Sequence, residues 1–520
     1  MVAKPPLIAS ICSECGGAVE FPLGALQVRC PTCEAGMAID AGQRLLRLDC
    51  PRCRGNFYYL DGALCGRCPF CDASLLALTH DRLLRYLVRP VAPSPAEGAE
   101  LLLLPFWHLS GLVYGFDLGK RVEIVDEPRD VYAEQGRGSG EGEIVMRSER
   151  RDSGPQRVFR GRVVAQSLPD AATLALGVVS LGVRGSVFPL EPFSADADTI
   201  GHTVPPALAP ALAREKLECR ALDLARGDLT HIELQRAELV AETLSLFYYP
   251  YWLLEGGERR IWDAVSGQPE RITPPREAPP LGGSVSFDEL RILELACSSC
   301  GGALVAGNNA KVLPCSGCGL HWEVSAQGLR PFTAHAARPL RPPDSPVRPP
   351  DTPGGALGPR KTVWLPFWRV EVSLRYEGRE ASRIADLRQV LGLHVPPGEL
   401  PVADPGSPLC YYVPAYGALK APRMDVAARD LTRRQPLLEA ADRGPGELYT
   451  CFLGADDARR LGYATFLQLL PPVARRLQSL RLSTGAVSLW YLPFAQGDRE
   501  LENLLTGQPY DRAIFRGVRH

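Results

Sequence analysis

One element dominates the pattern of apolar and polar positions along the chain: an apolar run followed by proline and aromatics. It recurs as LLLPFW (102–107), FYYPYW (247–252), VWLPFW (363–368) and LWYLPF (489–494), with YYVPAY (411–416) as a looser fifth copy. Short apolar runs rich in aromatic side chains predict buried strands. Proline removes a ladder donor, so each copy is expected at a sheet edge or bulge. The flanking rings bury large areas, which favours core packing; a groove for a peptide or ligand is the alternative.

The copies come in pairs. Pro105 and Pro250 lie 145 residues apart, and Pro366 and Pro493 lie 127 apart. The second member of each pair leads into a matching tail, in which Ser266-Gly267-Gln268-Pro269 aligns with Thr506-Gly507-Gln508-Pro509. Each tail reads as a strand, a turn, a second strand and a Gly-Gln-Pro turn. Ahead of each second member, residues 207–244 and 455–482 carry broken helical spacing, the latter interrupted by Pro471-Pro472. The expectation is two duplicated modules, each an antiparallel sheet with packed helices, in an α+β fold. The longest uncharged apolar run, 101–116, holds Pro105, Gly111 and Gly115 and is shorter than the ~20 residues of a membrane span. It is expected to be a buried strand pair. Pro-rich composition marks linkers at 90–99, 268–283 and 333–360. The glycine-rich 136–142 (GRGSGEG) predicts a hairpin loop and matches no phosphate-binding fingerprint.

Cysteine spacing adds candidate chemistry. Twelve of the 16 cysteines form three copies of one pattern, two CxxC pairs separated by 14 residues. The sets are Cys12, Cys15, Cys30 and Cys33; Cys50, Cys53, Cys68 and Cys71; and Cys297, Cys300, Cys315 and Cys318. Each CxxC turn points two thiolates at one ion, and the intervening hairpin brings the second turn alongside. Cys30/Cys33 pairing with Cys50/Cys53 is an alternative, but the isolated third set favours sequential pairing. The same interval leaves Cys65 spare; the other possibility is that the second set uses an 11-residue interval. His321, three residues after Cys318, is expected on a hairpin surface rather than as a ligand. Gly16, Gly17, Gly301, Gly302 and Gly319 follow the knuckles, where positive φ or close approach is needed.

The segments CSECGGAVEF…VRCPTC and CSSCGGALVA…LPCSGC resemble the zinc-ribbon family. The resemblance implies small β folds around zinc and carries no single function. The tail Asp263-Ala264-Val265-Ser266-Gly267 is similar to the hairpin of PepSY-like domains, and the whole chain resembles uncharacterised bacterial multi-zinc-ribbon proteins with repeated LPFW/YPYW segments. A closed set of four cysteines suits structural zinc, because a catalytic ion keeps a position for water. Three structural zinc ions are expected.

Charge and composition narrow the function. The chain has 520 residues, 22% charged and 45% hydrophobic, with a formal net charge of -1. That is globular composition without the basic excess of a nucleic-acid binder. Phe57-Tyr58-Tyr59 has the rings to stack on bases, but packing on a neighbouring ribbon is favoured. Only six positive charges are lysine, which fits a GC-rich coding sequence. No export signal is read at the N-terminus, so a cytoplasmic, reducing location is expected and paired cysteines read as ligands rather than disulfides. No HExxH, GxSxG, P-loop or kinase signature occurs. His108 and His231 are isolated, and Cys219, Cys410 and Cys451 have no CxxC partner.

The expected layout is zinc ribbon 1 (1–40), zinc ribbon 2 (41–89), module 1 (100–283), zinc ribbon 3 (288–332), a Pro-rich linker (333–360) and module 2 (361–520). The expected function is non-enzymatic: a scaffold or adaptor for protein partners. The alternatives are a nucleic-acid accessory factor and a peripheral membrane-associated assembly factor.

Overall fold

The computed structural model describes residues 7–11, 18–22, 27–29, 31, 34, 36–38, 45–60, 65–78, 82–120, 122–130, 144–152, 156–181, 189–193, 197–224, 231–254, 260–270, 272, 285–302, 304, 310–315, 317–325, 327–340, 361–391, 403–416, 424–441, 448–449, 451–470, 473–497 and 500–511. Strands predominate and helices are few. The glycine-rich 136–142, Pro471-Pro472 and most of the 333–360 linker lie outside the described residues. No helix among the described residues is long and apolar enough to cross a membrane.

The chain opens with short hairpins. Strands β1 (Leu7–Ile11) and β2 (Ala18–Pro22) pair antiparallel, as do β3 (Gln27–Arg29) and β4 (Gly36–Ala38). The next segment repeats the arrangement with β5 (Leu45–Asp49) on β6 (Asn56–Leu60) and β7 (Cys65–Arg67) on β8 (Ser74–Leu78). Then comes β9 (Leu84–Leu87).

A nine-stranded sheet follows. Its spine is β10 (Glu100–Lys120) and β16 (His231–Leu254), paired antiparallel over almost their whole length. Between them in sequence come the hairpin β11 (Val122–Asp130) and β12 (Ile144–Asp152), then β13 (Gln156–Pro169), β14 (Pro189–Pro192) and β15 (His202–Thr203). Strand β17 (Arg260–Asp263) closes the segment. The sheet order is β13-β10-β16-β9-β14-β5-β6, with β15 beside β10 and β17 beside β16. The second ribbon's own strands therefore extend this sheet.

Strands β18 (Arg291–Glu294), β19 (Val312–Pro314), β20 (His321–Ser325) and β21 (Gly328–Phe332) frame the third ribbon. A seven-stranded sheet ends the chain. It comprises β22 (Ala334–Ala336), β23 (Lys361–Tyr376), β24 (Arg379–Ala381), β25 (Cys410–Pro414), β26 (Arg481–Gln496), β27 (Glu500–Asn503) and β28 (Pro509–Asp511). Its spine is β23 on β26. Strand β22 falls inside the segment expected to be linker and instead pairs with β26.

Three expectations are corrected. The run 101–116 is part of one continuous strand rather than a pair, carried straight through Gly111 and Gly115. Among the described residues of 207–244 the helix covers Pro210–Leu224, and from His231 they form β16, because a ladder to β10 outweighs local helical spacing. The four prolines are not at edges. Pro105, Pro250, Pro366 and Pro493 all lie inside the spine strands.

The proline positions have one physical cause. On one side of β10, parallel β15 meets Leu102 and Leu103, and antiparallel β13 begins at Phe106. Pro105 falls at the seam. Beside β16, parallel β9 stops at Tyr248 and antiparallel β17 starts at Tyr251, leaving Pro250 between. Pro493 likewise separates β22 from β27, and Pro366 separates the Leu448 bridge from β25. At a seam no neighbour needs the missing N–H. The carbonyls remain in use: Pro105, Pro250, Pro366 and Pro493 accept from the amides of Asp170, Ala264, Ala415 and Leu504.

The rings beside these prolines build the core. Trp107 and Trp368 are buried, and their indole N–H groups donate to Asp170 Oδ2 and to the Leu453 carbonyl, each at 2.8 Å. Core packing is therefore their role. One large core joins both sheets: Tyr114, Phe116 and Leu118 of β10 pack with Trp368 of β23 and with Phe466 of the helix Ala455–Leu469.

Candidate metal centres

Each centre starts from a repeated backbone device. In the second ribbon Arg54 N–H donates to the Cys50 carbonyl and Cys50 N–H to the Gly55 carbonyl. The same two bonds recur from Asp72 and Cys68, from Gly301 and Cys297, and from Gly319 and Cys315. The turn needs positive φ at its fifth residue. Gly301 and Gly319 supply it at 72° and 73°, whereas Arg54 and Asp72 take 58° and 55° despite their side chains. Gly302 is not in that region; a Cβ there would sit 3.4 Å from Cys300 Sγ. Gly16 and Gly17 lie outside the described residues.

Two clusters result. Cys50, Cys53, Cys68 and Cys71 bring their sulfurs within 4.8 Å of one another, as do Cys297, Cys300, Cys315 and Cys318. Across the first, Cys50 and Cys71 are 3.7 Å apart and Cys53 and Cys68 3.6 Å. Across the second, Cys297 and Cys318 are 3.6 Å apart and Cys300 and Cys315 3.5 Å. All eight cysteines are free of disulfides. A tetrahedron of sulfurs about 2.3 Å from zinc has edges of about 3.8 Å, so both clusters fit zinc-ribbon sites. The first is complete with Cys68 and Cys71; Cys65 begins β7, where it pairs with Leu76. Cys12, Cys15, Cys30 and Cys33 lie outside the described residues.

The electrostatics suit a cation. The Gly55 amide, 3.4 Å from Cys53 Sγ, is the main cause that lowers that thiol to about 7, while burial pushes Cys68 up to about 12. Sulfurs this close cannot all ionise beside one another unaided. A divalent ion removes the conflict and takes all four as thiolates. Within each cluster two sulfur ligands are buried, Cys50 and Cys68 or Cys297 and Cys315; Cys53, Cys300 and Cys318 are exposed.

The remaining candidates are dispersed. Burial raises the Cys410 thiol to about 11 and lifts that of Cys451 further, and Cys219 is exposed on a helix. His108 is buried, with Nδ1 3.3 Å from Ser167 Oγ. His231 is the first residue of β16. His321 is half-buried on β20 rather than fully at the surface: burial lowers it to about 4, and its ring lies 5.3 Å from that of Tyr491.

Sequence reasoning missed two structural carboxylates. Asp170 accepts from the amides of Ala172, Ala207 and Leu208 as well as from Trp107. Asp263 accepts from the amides of Val265 and Ser266 and from Tyr249 Oη. Asn503 makes the same amide contacts to Leu505 and Thr506, and both turns carry positive φ at the glycine, Gly267 or Gly507. The recurrent Gly-Gln-Pro was the available signal for that turn; Asp170 had none. No family model matches the chain, and neither a curated protein nor a solved structure is similar to it.

Proposed function

We propose that this chain is a non-enzymatic, cytoplasmic scaffold or adaptor that assembles protein partners and is held together by three structural zinc ions. The observation that carries the structural, non-catalytic reading of the zinc is closure. Each described centre offers four sulfurs around one point, which leaves no ligand position for a reacting water.

The third ion belongs to Cys12, Cys15, Cys30 and Cys33. Two features of the neighbouring backbone support it. Ile11 pairs with Ala18 and Arg29 with Gly36, the same offsets around the cysteines as Asp49 with Asn56 and Arg67 with Ser74. Glu34 takes φ 58°, at the place occupied by Arg54, Asp72, Gly301 and Gly319 in the other knuckles.

The body is a duplication. Pro105 faces Tyr248 as Pro366 faces Tyr491, and both spines are bulged just past the aromatics, between Ser110 and Leu112 or between Val370 and Val372; the first spine has a further shift between Leu118 and Gly119. The matched turns at Asp263 and Asn503 add to the correspondence. Two large sheets built on ribbons give a rigid frame suited to presenting surfaces.

Metal analysis of the purified chain is expected to give three zinc ions; fewer than two removes the foundation. Native purification after nuclease treatment tests the rest. A protein that co-elutes in fixed ratio supports the adaptor. A chain that elutes alone, or whose retention is lost with nuclease, overturns it.

A further inference from the structure

Strand β8 lies between the two described metal centres, and each of its faces looks onto one of them. All five of its residues are buried. Leu75 packs in the cluster that holds Leu48, Phe57 and the ligands Cys50 and Cys68 of its own ribbon. Leu76 and Leu78 point the other way, as strand alternation requires, into a cluster with Cys297, Cys315 and Trp322 of the third ribbon.

The backbone makes the same connection. Strand β18, which leads into Cys297, pairs antiparallel with β8 from Arg291 opposite Leu78 to Glu294 opposite Leu75. The Leu295 amide donates to the Ser74 carbonyl at 2.7 Å. Arg52, inside the first knuckle of the second ribbon, meets Glu294 at 2.5 Å. A ribbon has little core of its own, and its metal supplies most of its folding energy. Here two ribbons share one strand, so a disturbance at one centre reaches the packing around the other's buried sulfurs.

We propose that the second and third ribbons form one coupled two-zinc unit, in which metal at either centre strengthens metal binding at the other. The proposal rests on zinc occupying both clusters. Coupling of this kind is reciprocal: whatever factor the third ribbon's ion adds to the second's affinity, the second's adds to the third's. Loss of one ion, by chelation or by oxidation of the exposed Cys300 or Cys53, is then passed through β8 to a centre that was not attacked.

Cysteine alkylation of the full-length, zinc-loaded chain, mapped by peptide mass spectrometry, tests this. Zinc-bound thiolates resist alkylation, so each cluster reports on itself. In Cys300→Ser, Cys50, Cys53, Cys68 and Cys71 are expected to react at least tenfold faster than in the wild type, and Cys53→Ser is expected to do the same to the third ribbon. Cys410, buried in the core of the last sheet and outside both ribbons, stays protected unless the whole chain unfolds; Cys451, whose carbonyl accepts from the Lys311 and Val312 amides, is expected to follow the third ribbon. Should Cys300→Ser unfold globally, Leu78→Ala replaces it, because it spares every ligand; both clusters are expected to speed up together. Unchanged second-ribbon rates in Cys300→Ser, or acceleration of one cluster or neither in Leu78→Ala, overturn the coupling. Rapid alkylation of both clusters in the wild type instead overturns the zinc occupancy itself.

Discussion

Cys65 and Cys68 lie three residues apart and have different fates. The sulfur of Cys68 completes a cluster, whereas the cluster closes without Cys65. Cys65→Ser is expected to keep full zinc content and fold; Cys68→Ser is expected to lose the second ribbon's ion, both read by metal analysis and circular dichroism. The opposite pattern would mean an 11-residue interval. His321 offers a second test. Its folded value near 4 lies below its usual 6.5, so between these pH values the unfolded chain binds more protons. Stability therefore falls as pH drops through that window, by up to about 1.4 kcal/mol per unit, and is unaffected above it. His321→Phe is expected to remove this component. Urea midpoints from pH 7 to 4.5 that stay parallel in the two proteins would sink the idea. At this scale the sequence was most readable where chemistry fixes spacing, as in the CxxC pairs. It was least readable at Arg54 and Asp72, where a turn that favours glycine is imposed on other residues, and at His321, whose burial comes from a strand far along the chain.

Elements show why local pattern reached only part of the way. The aromatic-proline runs announce strands, and the long spines follow from them. Which neighbours meet at each proline depends on chain segments far apart, so the seams were invisible and an edge was the natural expectation. Asp170 stabilises one seam by holding three amides and an indole. Asp170→Ala leaves these donors buried and unpaired, at about 1–3 kcal/mol each before relaxation, so a loss of more than about 3 kcal/mol is expected in chemical denaturation. Gly462 inverts a familiar rule. Alanine in a helix interior normally gains about 1 kcal/mol over glycine. Here a Cβ would run into the Tyr411 ring, whose hydroxyl bonds the Ala458 and Arg459 carbonyls. Overpacking costs about 1–3 kcal/mol, so Gly462→Ala is expected to lower the melting temperature. A raised melting temperature would show that Tyr411 moves aside freely.

The whole molecule is tied together more tightly than a row of modules implies. Asp457, at the start of the 455–469 helix, accepts from the Ala241 amide at the bulge of β16. Arg157 of β13 caps the far end of that helix through the carbonyls of Gln468 and Leu470. With the shared core around Tyr114, Phe116 and Trp368, these contacts make the two sheets one body. A protease site introduced within residues 341–360 should cut the chain without parting it: both pieces are expected in one size-exclusion peak. Separate peaks would show that the shared core is too weak to hold them. Pro-rich composition marked linkers between modules and left their packing open; the joint core was hidden because its members are ordinary apolar strand residues.

The shared strand also sets a clock for biosynthesis. Leu76 and Leu78 leave the ribosome early, but their cover, β18 and the third ribbon, follows only after about 210 further residues. At ~5–20 residues per second, the apolar face of β8 waits roughly 10–40 s for its partner. During that interval the nascent chain presents an uncovered strand beside a zinc centre whose four cysteines are already made, the kind of surface that chaperones recognise and that other nascent copies can pair with. Slower translation between β8 and β18 lengthens the exposure, and zinc at the second ribbon does not end it, because Leu76 and Leu78 face the third ribbon's cluster.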